Sequence, residues 1–323
     1  VIALGGGASD AAREIAQLVE RVDAPVTVTH NAKGLLAADH PLLVASSPSY
    51  EPVRELYRNA DIVLGIGTEF GETDYDFFFD GKFALGGKLV RIDIDAAQLT
   101  RNVRPEIALC ADAALALSAL VPLLSPTDRQ GADRTAQANR ELASIDDDNY
   151  QLFLDSLQFA LPGAAVIGDS TQPAYFAAAQ YHAPAPRRFA SAATGYGTLG
   201  YALPAAFGAK LGLPGSPVIA LIGDGGLQFT VNELSTAVEA GLCVAVIVWN
   251  NRRYEMIAQN FDAAGMDPIA CDIHTPDFQG IARAYGCRTG RARSIEELVE
   301  QLRLSLNFQG PTIIEVEEAD IIG

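Results

Sequence analysis

Two polar turns, each placed directly after an apolar run, are the part of this sequence best suited to hold a metal ion. The first turn is Gly-Asp-Gly-Gly at 223–226, and the second is Asn-Asn at 250–251. Asp224 and Asn251 are 27 positions apart, which fits a strand, a turn, a helix, a turn and a second strand. If the two strands are neighbours in a parallel sheet, both turns open onto the same edge. A carboxylate, an amide oxygen and a main-chain carbonyl such as that of Arg253 form an all-oxygen set that suits Mg²⁺ or Ca²⁺.

The glycines around Asp224 suggest a second ligand. Gly223 ends the apolar run, and Gly225 and Gly226 leave their N–H groups approachable at the start of the next helix. Backbone N–H groups in this position bind phosphate oxygens. The two turns therefore predict a metal–diphosphate site, and the alternative is two surface turns that have this spacing by coincidence.

Short apolar runs followed by helical patterns must position these turns. The apolar runs are at 1–4, 24–30, 60–67, 88–95, 164–170, 217–226, 243–251 and 311–317. Continuous hydrophobic strands, each followed by a helix, are typical of a parallel sheet that is covered on both faces. We therefore predict an α/β protein with two consecutive doubly wound parallel-sheet domains.

The composition changes between the two halves of the chain. Residues 126–149 are polar, charged and poor in large apolar side chains, although part of this segment could form a solvent-facing helix. We expect a Rossmann-like domain at 1–125, a linker at 126–149 and a metal–diphosphate domain at 150–323. The chain begins with Val1 in the middle of a strand pattern, so we also expect a fragment of a longer protein.

Charge and cysteine content narrow the possible partners. The chain has 23 basic and 40 acidic residues and a formal net charge of −17. Such an acidic surface repels phosphate backbones, so we expect no nucleic-acid partner. No apolar run is long enough to cross a bilayer, so we expect no membrane partner. The four cysteines lack C-x-x-C spacing, which favours a reducing, cytoplasmic location.

The two turns together resemble the signature of thiamine-diphosphate enzymes, in which G-D-G and N-N are separated by a stretch of this length. The segment 191–211 (SAATGYGTLGYALPAAFGAKL) is similar to the corresponding part of the acetolactate synthase, benzoylformate decarboxylase and oxalyl-CoA decarboxylase group. In the first half, VIALGGGAS, ADIVLGIGTEF and VRIDID follow the order of the central domain of that group. The resemblance implies central and diphosphate-binding domains, with an N-terminal pyrimidine-binding domain missing.

The resemblance also implies roles for residues before the first turn. Leu199 would lie beneath the cofactor and force its two rings into a V shape. The carbonyl of Gly197 would accept a hydrogen bond from the aminopyrimidine. Thr171 and Gln172 would contact the diphosphate, and Pro173 stands where many acetolactate synthases have His.

Around the second turn, the resemblance implies Asp224, Asn251 and the carbonyl of Arg253 as Mg²⁺ ligands. Tyr254 and Glu255 would open a helix that lines the substrate pocket in relatives. In an apolar pocket, Glu255 would favour a substrate with a cationic tail. The alternative is a glutamate that is favoured at a helix N-terminus by the helix dipole.

The implied cofactors are thiamine diphosphate and Mg²⁺, and the implied substrate is a 2-oxo acid. We expect a decarboxylase or an acetolactate-synthase-like lyase; the alternatives are a carboligating acetolactate synthase and a non-catalytic homologue that only binds the cofactor. In the family, a glutamate from a neighbouring subunit assists the cofactor, so we expect a homo-oligomer (dimer or tetramer) and an inactive fragment. FAD is unlikely, because the glycine-rich residues 5–9 do not form G-x-G-x-x-G and favour a tight turn.

Overall fold

The structure is a computed structural model, and it describes residues 1–76, 81–127, 129–145 and 148–322. The described residues form two compact units, one with residues 1–145 and 182–188 and the other with residues 148–181 and 189–322. Each unit is built on its own sheet, and all the strand pairs in both sheets are parallel. The predicted fold class, α/β with two doubly wound parallel-sheet domains, is confirmed.

The sheet of the first unit has five strands in the order β2-β1-β3-β4-β5. The strands are β1 (Ile2–Leu4), β2 (Val26–Val28), β3 (Ile62–Ile66), β4 (Lys88–Asp93) and β5 (Ile107–Cys110). The helices are α1 (Ala12–Val22), α2 (Glu51–Arg58), α3 (Glu72–Tyr75), α4 (Ala113–Leu120) and α5 (Gly131–Ala143). Alternate residues of β1 enter two different apolar cores, Ile2 and Leu4 on one face of the sheet and Ala3 on the other. The strand is a continuous apolar run because both of its faces are buried.

The glycine-rich segment after β1 forms a tight turn that packs against its own unit. A side chain on Gly5 would overlap the backbone of Gly67, and a Cβ on Gly6 would lie 2.8 Å from the Cβ of Asn31. Residues 6–11 then form a short 3₁₀ helix that leads into α1. Close packing of the chain therefore explains the glycines at this turn.

The segment for which we predicted a linker contains a helix. α5 is fixed to the first unit by Asn139, which donates a hydrogen bond to the carbonyl of Leu43 (3.0 Å) and accepts one from the N–H of Ala45 (2.9 Å). Most other α5 side chains are exposed, which explains the polar composition. Residues 128, 146 and 147 lie outside the described residues, and the domain boundaries remain a prediction.

The sheet of the second unit has six strands in the order β10-β11-β9-β8-β6-β7. The strands are β6 (Ala165–Gly168), β7 (Phe189–Ser191), β8 (Val218–Gly223), β9 (Ala245–Asn250), β10 (Arg288–Ala292) and β11 (Thr312–Glu317). The helices are α6 (Asp148–Ala160), α7 (Gln172–Gln180), α8 (Ala202–Gly212), α9 (Asp224–Thr230), α10 (Glu233–Glu239), α11 (Glu255–Ala263), α12 (Phe278–Tyr285), α13 (Ile295–Ser305) and α14 (Glu318–Ile322). None of the helices in the described part of the chain combines the length and apolarity that a bilayer crossing requires.

The strand order of the second unit determines where its loops meet. β8 lies between β6 and β9, so the segments 169–172, 223–226 and 250–254 all emerge at the carboxyl edge of the sheet. From β6 the chain goes outward to β7 and then returns to β8 on the other side of β6. In open α/β sheets, ligands bind at such a switch point.

Candidate active site

Asp224 is a buried carboxylate at the junction of β8 and α9. The residue is 2% exposed, and its Oδ2 atom has no hydrogen-bond partner within the described residues. Burial raises the pKa of this carboxyl to about 6, although hydrogen bonds from the N–H groups of Gly225 and Arg252 act in the opposite direction. A buried carboxylate oxygen without a partner is costly, and a bound cation would compensate it.

The N–H of Arg252 connects the second turn to the first, because it is a hydrogen-bond donor to Asp224. Arg252 has a φ of 57°, in the left-handed region that few non-glycine residues adopt. Its guanidinium forms hydrogen bonds to Glu317 at 2.9 and 3.1 Å. The loop after β9 thus bends toward Asp224, and the structure brings the two turns together at one edge. Their role as metal ligands remains a prediction.

Asn251 is held at both ends of its side-chain amide. Its Oδ1 accepts a hydrogen bond from the N–H of Arg253 (3.2 Å), and its Nδ2 donates to Oε2 of Glu318 (3.3 Å). An amide oxygen has two lone pairs, so Oδ1 can accept this bond and still coordinate an ion.

The next segment is held by an antiparallel bridge between Arg253 and Asp272. Its two hydrogen bonds use the N–H of Tyr254 (2.8 Å) and the carbonyl of Arg252 (2.9 Å), and their partners lie in the segment 271–273. Neither bond uses the carbonyl of Arg253, which is the third oxygen of the predicted metal set.

Gly225 is tightly covered by an aromatic ring. A Cβ at this position would lie 2.6 Å from the ring of Tyr254 and 3.2 Å from the side chain of Ile273. The N–H of Gly225 donates to the carboxylate of Asp224. The structure therefore gives a packing reason for this glycine, whereas its contact with a diphosphate remains a prediction.

The other two glycines of the first turn are approached from the loop after β6. A Cβ on Gly223 would lie 3.1 Å from Oγ1 of Thr171, and a Cβ on Gly226 would lie 3.0 Å from Oδ1 of Asp169. These contacts join the end of β8 to the loop after β6.

Asp169 is a site residue that the sequence reasoning missed. It is fully buried, and its carboxylate accepts hydrogen bonds from the N–H groups of Ser170 (2.9 Å), Gly200 (3.2 Å) and Ala202 (2.9 Å). Burial raises the pKa of Asp169, and these N–H groups partly offset that effect. Asp169 thus fixes the start of α8. The sequence feature that could have identified Asp169 is its position directly after β6, a strand that is buried along its whole length.

Thr171 and Gln172 lie at the start of α7, where the sequence places diphosphate contacts. Both are largely buried, at 8% and 7% exposure. Within the described part of the chain, Nε2 of Gln172 has no hydrogen-bond partner. A buried donor without a partner favours an acceptor ligand such as a phosphate oxygen.

Gly197 and Leu199 lie in the turn before α8. Gly197 has a φ of 63°, and its carbonyl accepts a hydrogen bond from the hydroxyl of Ser170 (2.9 Å). Because a carbonyl has two lone pairs, this bond leaves one for the predicted contact with the aminopyrimidine. Leu199 is half-buried, so part of its side chain can still contact a ligand.

Glu255 begins α11 and already has partners within the chain. Its Oε2 lies 3.7 Å from the Arg253 guanidinium, and its Oε1 accepts a hydrogen bond from Gln259 (3.1 Å). A cationic substrate tail would have to compete with Arg253 for this carboxylate.

No set of three or more His, Cys, Asp or Glu side chains among the described residues could hold a metal ion. The candidate site instead combines one carboxylate, from Asp224, with the amide oxygen of Asn251 and the carbonyl of Arg253. Oxygen ligands of this kind suit Mg²⁺ or Ca²⁺ better than Zn²⁺, which prefers His and Cys.

Comparison with protein families matches both halves of the chain. Residues 1–120 match the model described as "Thiamine pyrophosphate enzyme, central domain". Residues 169–316 match the model described as "Thiamine pyrophosphate enzyme, C-terminal TPP binding domain", and this range contains all the candidate site residues.

Among curated proteins, the chain is similar to the probable 2-ketoarginine decarboxylase AruI of Pseudomonas aeruginosa, with 37% identity over 98% of this chain and 57% of the relative. It is also similar to chloroplastic acetolactate synthase 1 of Oryza sativa subsp. japonica, with 30% identity over 98% of this chain and 52% of the relative. A probable acetolactate synthase large subunit of Methanocaldococcus jannaschii is 28% identical over 98% of this chain and 57% of the relative. The chain thus spans between half and three fifths of the length of these relatives.

Proposed function

This chain belongs to the thiamine pyrophosphate enzymes, and we propose that it takes part in the decarboxylation of a 2-oxo acid with thiamine diphosphate and Mg²⁺ bound to its second unit. The observation that carries the proposal is the buried Oδ2 of Asp224, which lacks a partner within the described residues and lies where two loops meet at the switch point of the sheet. The relative named as a 2-ketoarginine decarboxylase supports the type of reaction.

Three oxygens would hold the metal: Oδ2 of Asp224, Oδ1 of Asn251 and the carbonyl of Arg253. Thr171 and Gln172 would contact the diphosphate, because Thr171 lies beside Gly223 and because Nε2 of Gln172 needs an acceptor. Metal binding would require the ionised form of Asp224 and would remove the cost of burying its charge.

When bound, thiamine diphosphate supplies a carbon nucleophile for the ketone and accepts the electrons released as carbon dioxide leaves. The contribution of the chain is to orient this group. The side chain of Leu199 would press on the rings from one side, and the carbonyl of Gly197 would accept a hydrogen bond from the aminopyrimidine. This arrangement would hold the proton-accepting nitrogen close to the reacting carbon.

Acetolactate synthesis is the second candidate, because relatives named as acetolactate synthases are 28–30% identical over 98% of the chain. The higher identity to the decarboxylase, together with Pro173, favours decarboxylation. Product analysis on pyruvate and on longer 2-oxo acids separates the candidates. A decarboxylase releases an aldehyde and carbon dioxide, a synthase joins two substrates, and a non-catalytic homologue forms neither product.

We further propose that the protein is a cytoplasmic homo-oligomer, a dimer or tetramer. The resemblance to enzymes in which a neighbouring subunit completes the site supports the assembly. Cys110, Cys243, Cys271 and Cys287 are all unpaired in the structure, which supports a reducing compartment.

Calorimetric titration of the intact protein with thiamine diphosphate tests the proposed function. The titration is done once in the presence of Mg²⁺ and once in the presence of EDTA. We expect saturable binding that EDTA abolishes. Asp224→Asn should weaken it at least about tenfold, because even the loss of a group that only hydrogen-bonds to a metal ligand costs about that much. Asp267→Asn is the matched control, because Asp267 is exposed on the surface, and it should bind like the wild type. Equal binding in EDTA, or normal binding by Asp224→Asn, would contradict the proposal.

A further inference from the structure

Three glutamates hold three consecutive residues at the end of β9 and in the loop that follows it. Glu315 and Glu317 lie in β11, and Glu318 is the first residue of α14. The two strands are hydrogen-bonded neighbours, and their register places Glu317 opposite Asn250. Each contact joins a side-chain nitrogen of these three residues to a carboxylate oxygen. The pairs are Asn250–Glu315 (3.0 Å), Asn251–Glu318 (3.3 Å) and Arg252–Glu317 (2.9 Å).

We propose that Glu318 is a positioning residue that orients the side-chain amide of Asn251 toward the metal. This inference rests on the proposed function, because it concerns the same site. An ionised carboxylate only accepts hydrogen bonds, so the end of the Asn251 amide that faces Glu318 must be its NH₂ group. The oxygen, Oδ1, must then lie at the other end of the amide.

The orientation of this amide decides whether Asn251 can bind a cation at all. The two ends of an asparagine amide have nearly the same shape, so packing alone does not distinguish them. An NH₂ group has no lone pair for a metal ion and would present its hydrogens to the positive charge. A fixed hydrogen-bond acceptor on one side therefore removes the unproductive orientation.

Glu318 is itself held by a rigid buried group. The indole N–H of Trp249 donates to the same Oε2 atom at 2.6 Å. Trp249 is fully buried, and its ring packs edge-on against Phe153 with 5.1 Å between ring centroids. A hydrogen bond to a charged acceptor from a donor of this kind is short and strong. The carboxylate of Glu318 is thus fixed by the end of β9, the strand that Asn251 follows.

The backbone restrains the opposite end of the amide. Oδ1 of Asn251 accepts the N–H of Arg253, and that bond also requires an oxygen at this position. Glu318 and the N–H of Arg253 therefore select the same orientation, one as an acceptor and the other as a donor. Outer contacts of this type tune metal affinity without touching the metal.

The first test compares Glu318→Leu, Glu318→Gln and the control Glu239→Leu, whose glutamate is exposed at the end of α10. The measurement is the Mg²⁺ concentration that half-saturates thiamine diphosphate binding by the intact protein. We expect Glu318→Leu to raise this concentration about 10- to 100-fold, with cofactor affinity close to wild type once Mg²⁺ is saturating. Glu318→Gln keeps an acceptor of the same shape and should stay near the wild type, as should Glu239→Leu. Glu318→Ala replaces the leucine variant if that variant does not fold.

The second test repeats the comparison in an Asn251→Asp background. An aspartate has two equivalent oxygens, so it needs no orientation, and a neighbouring Glu318 only repels it. Glu318→Leu should therefore leave the half-saturating Mg²⁺ concentration unchanged or lower it in this background. If Glu318 only stabilised the fold, its replacement would raise the half-saturating Mg²⁺ concentration in both backgrounds, and a double-mutant cycle distinguishes the two cases.

Two different failures can be distinguished. If the wild type shows no Mg²⁺-dependent binding of thiamine diphosphate, the proposed function fails and the role of Glu318 fails with it. If the wild type binds but Glu318→Leu needs no more Mg²⁺, or has the same effect in the Asn251→Asp background, the role of Glu318 alone is overturned.

Discussion

Replacing Asp224 with asparagine should stabilise the metal-free protein at neutral pH. Burial raises the pKa of Asp224 from its ordinary value of 3.8 to about 6 in the folded state. Between these two pH values, the folded state therefore keeps a proton that the unfolded state has already released. The resulting stabilisation is complete below pH 3.8 and is lost as the pH rises through 6. Above that range, the wild type has a buried charge that an asparagine does not have.

The pKa shift sets the size of the effect. A shift of about two units corresponds to about 3 kcal/mol in the free energy of unfolding. An asparagine oxygen accepts only part of the hydrogen bonding that the carboxylate receives from Gly225 and Arg252, which reduces the gain by about 1 kcal/mol. We therefore expect Asp224→Asn to raise the free energy of unfolding by about 2 kcal/mol at pH 7 to 8.

The assay is urea unfolding in EDTA from pH 4 to pH 8, with the difference between variant and wild type as the measured quantity. The difference should fall below pH 6 and reach its minimum near pH 4. Asp267→Asn, at an exposed position, should give a small and constant difference. With Mg²⁺ and thiamine diphosphate, the advantage of the variant should shrink by at least about 1.4 kcal/mol, because cofactor binding that is about tenfold weaker stabilises the variant by that much less. A variant that is less stable than the wild type at pH 8 without metal, or a difference independent of pH, would contradict a buried Asp224 carboxylate that destabilises the metal-free protein.

Three further predictions concern the residues around the site. Leu199→Ala should lower turnover more than it weakens cofactor binding, because Leu199 would contact the rings and not the diphosphate; parallel kinetic and calorimetric measurements that show full activity would remove this role. Gly225→Ala should destabilise the fold by about 1–3 kcal/mol, because the added Cβ would lie 2.6 Å from the ring of Tyr254. The control is Gly208→Ala, at a position in α8 with open space around it, which should stabilise the fold by about 1 kcal/mol in the same urea assay. Asp169→Ala should cost about 2–4 kcal/mol, because it leaves several buried N–H groups without an acceptor, and an unchanged unfolding midpoint would contradict that estimate.

The fold was predictable from the sequence wherever a strand is buried on both faces. The eight predicted runs correspond to β1–β4, β6, β8, β9 and β11. The prediction missed β5, β7 and β10, and all three are edge strands. An edge strand has a neighbour on one side only and need not be a continuous apolar run. β10 contains two arginines, whereas β5 is an apolar run of only four residues, all of which are exposed.

The candidate site was predictable in part. The spacing of Asp224 and Asn251 predicted that the two turns would meet, because neighbouring parallel strands bring their carboxyl ends to one edge. Asp169 and Glu318 were not identified, because their roles depend on contacts 31 or more positions away in the sequence. Such contacts follow from the strand order and register, which a single sequence does not specify. The pairing of Glu255 with Arg253 depends likewise on side-chain conformations.

A crystal structure of the intact protein with thiamine diphosphate and Mg²⁺ would show directly whether Asp224, Asn251 and Arg253 bind the metal. We expect one metal ion at about 2.1 Å from Oδ2 of Asp224, Oδ1 of Asn251 and the carbonyl of Arg253. We also expect the diphosphate to extend from this ion to the start of α7 at Thr171 and Gln172. A cofactor bound elsewhere, or a metal ion that does not contact Asp224, would contradict the proposed site.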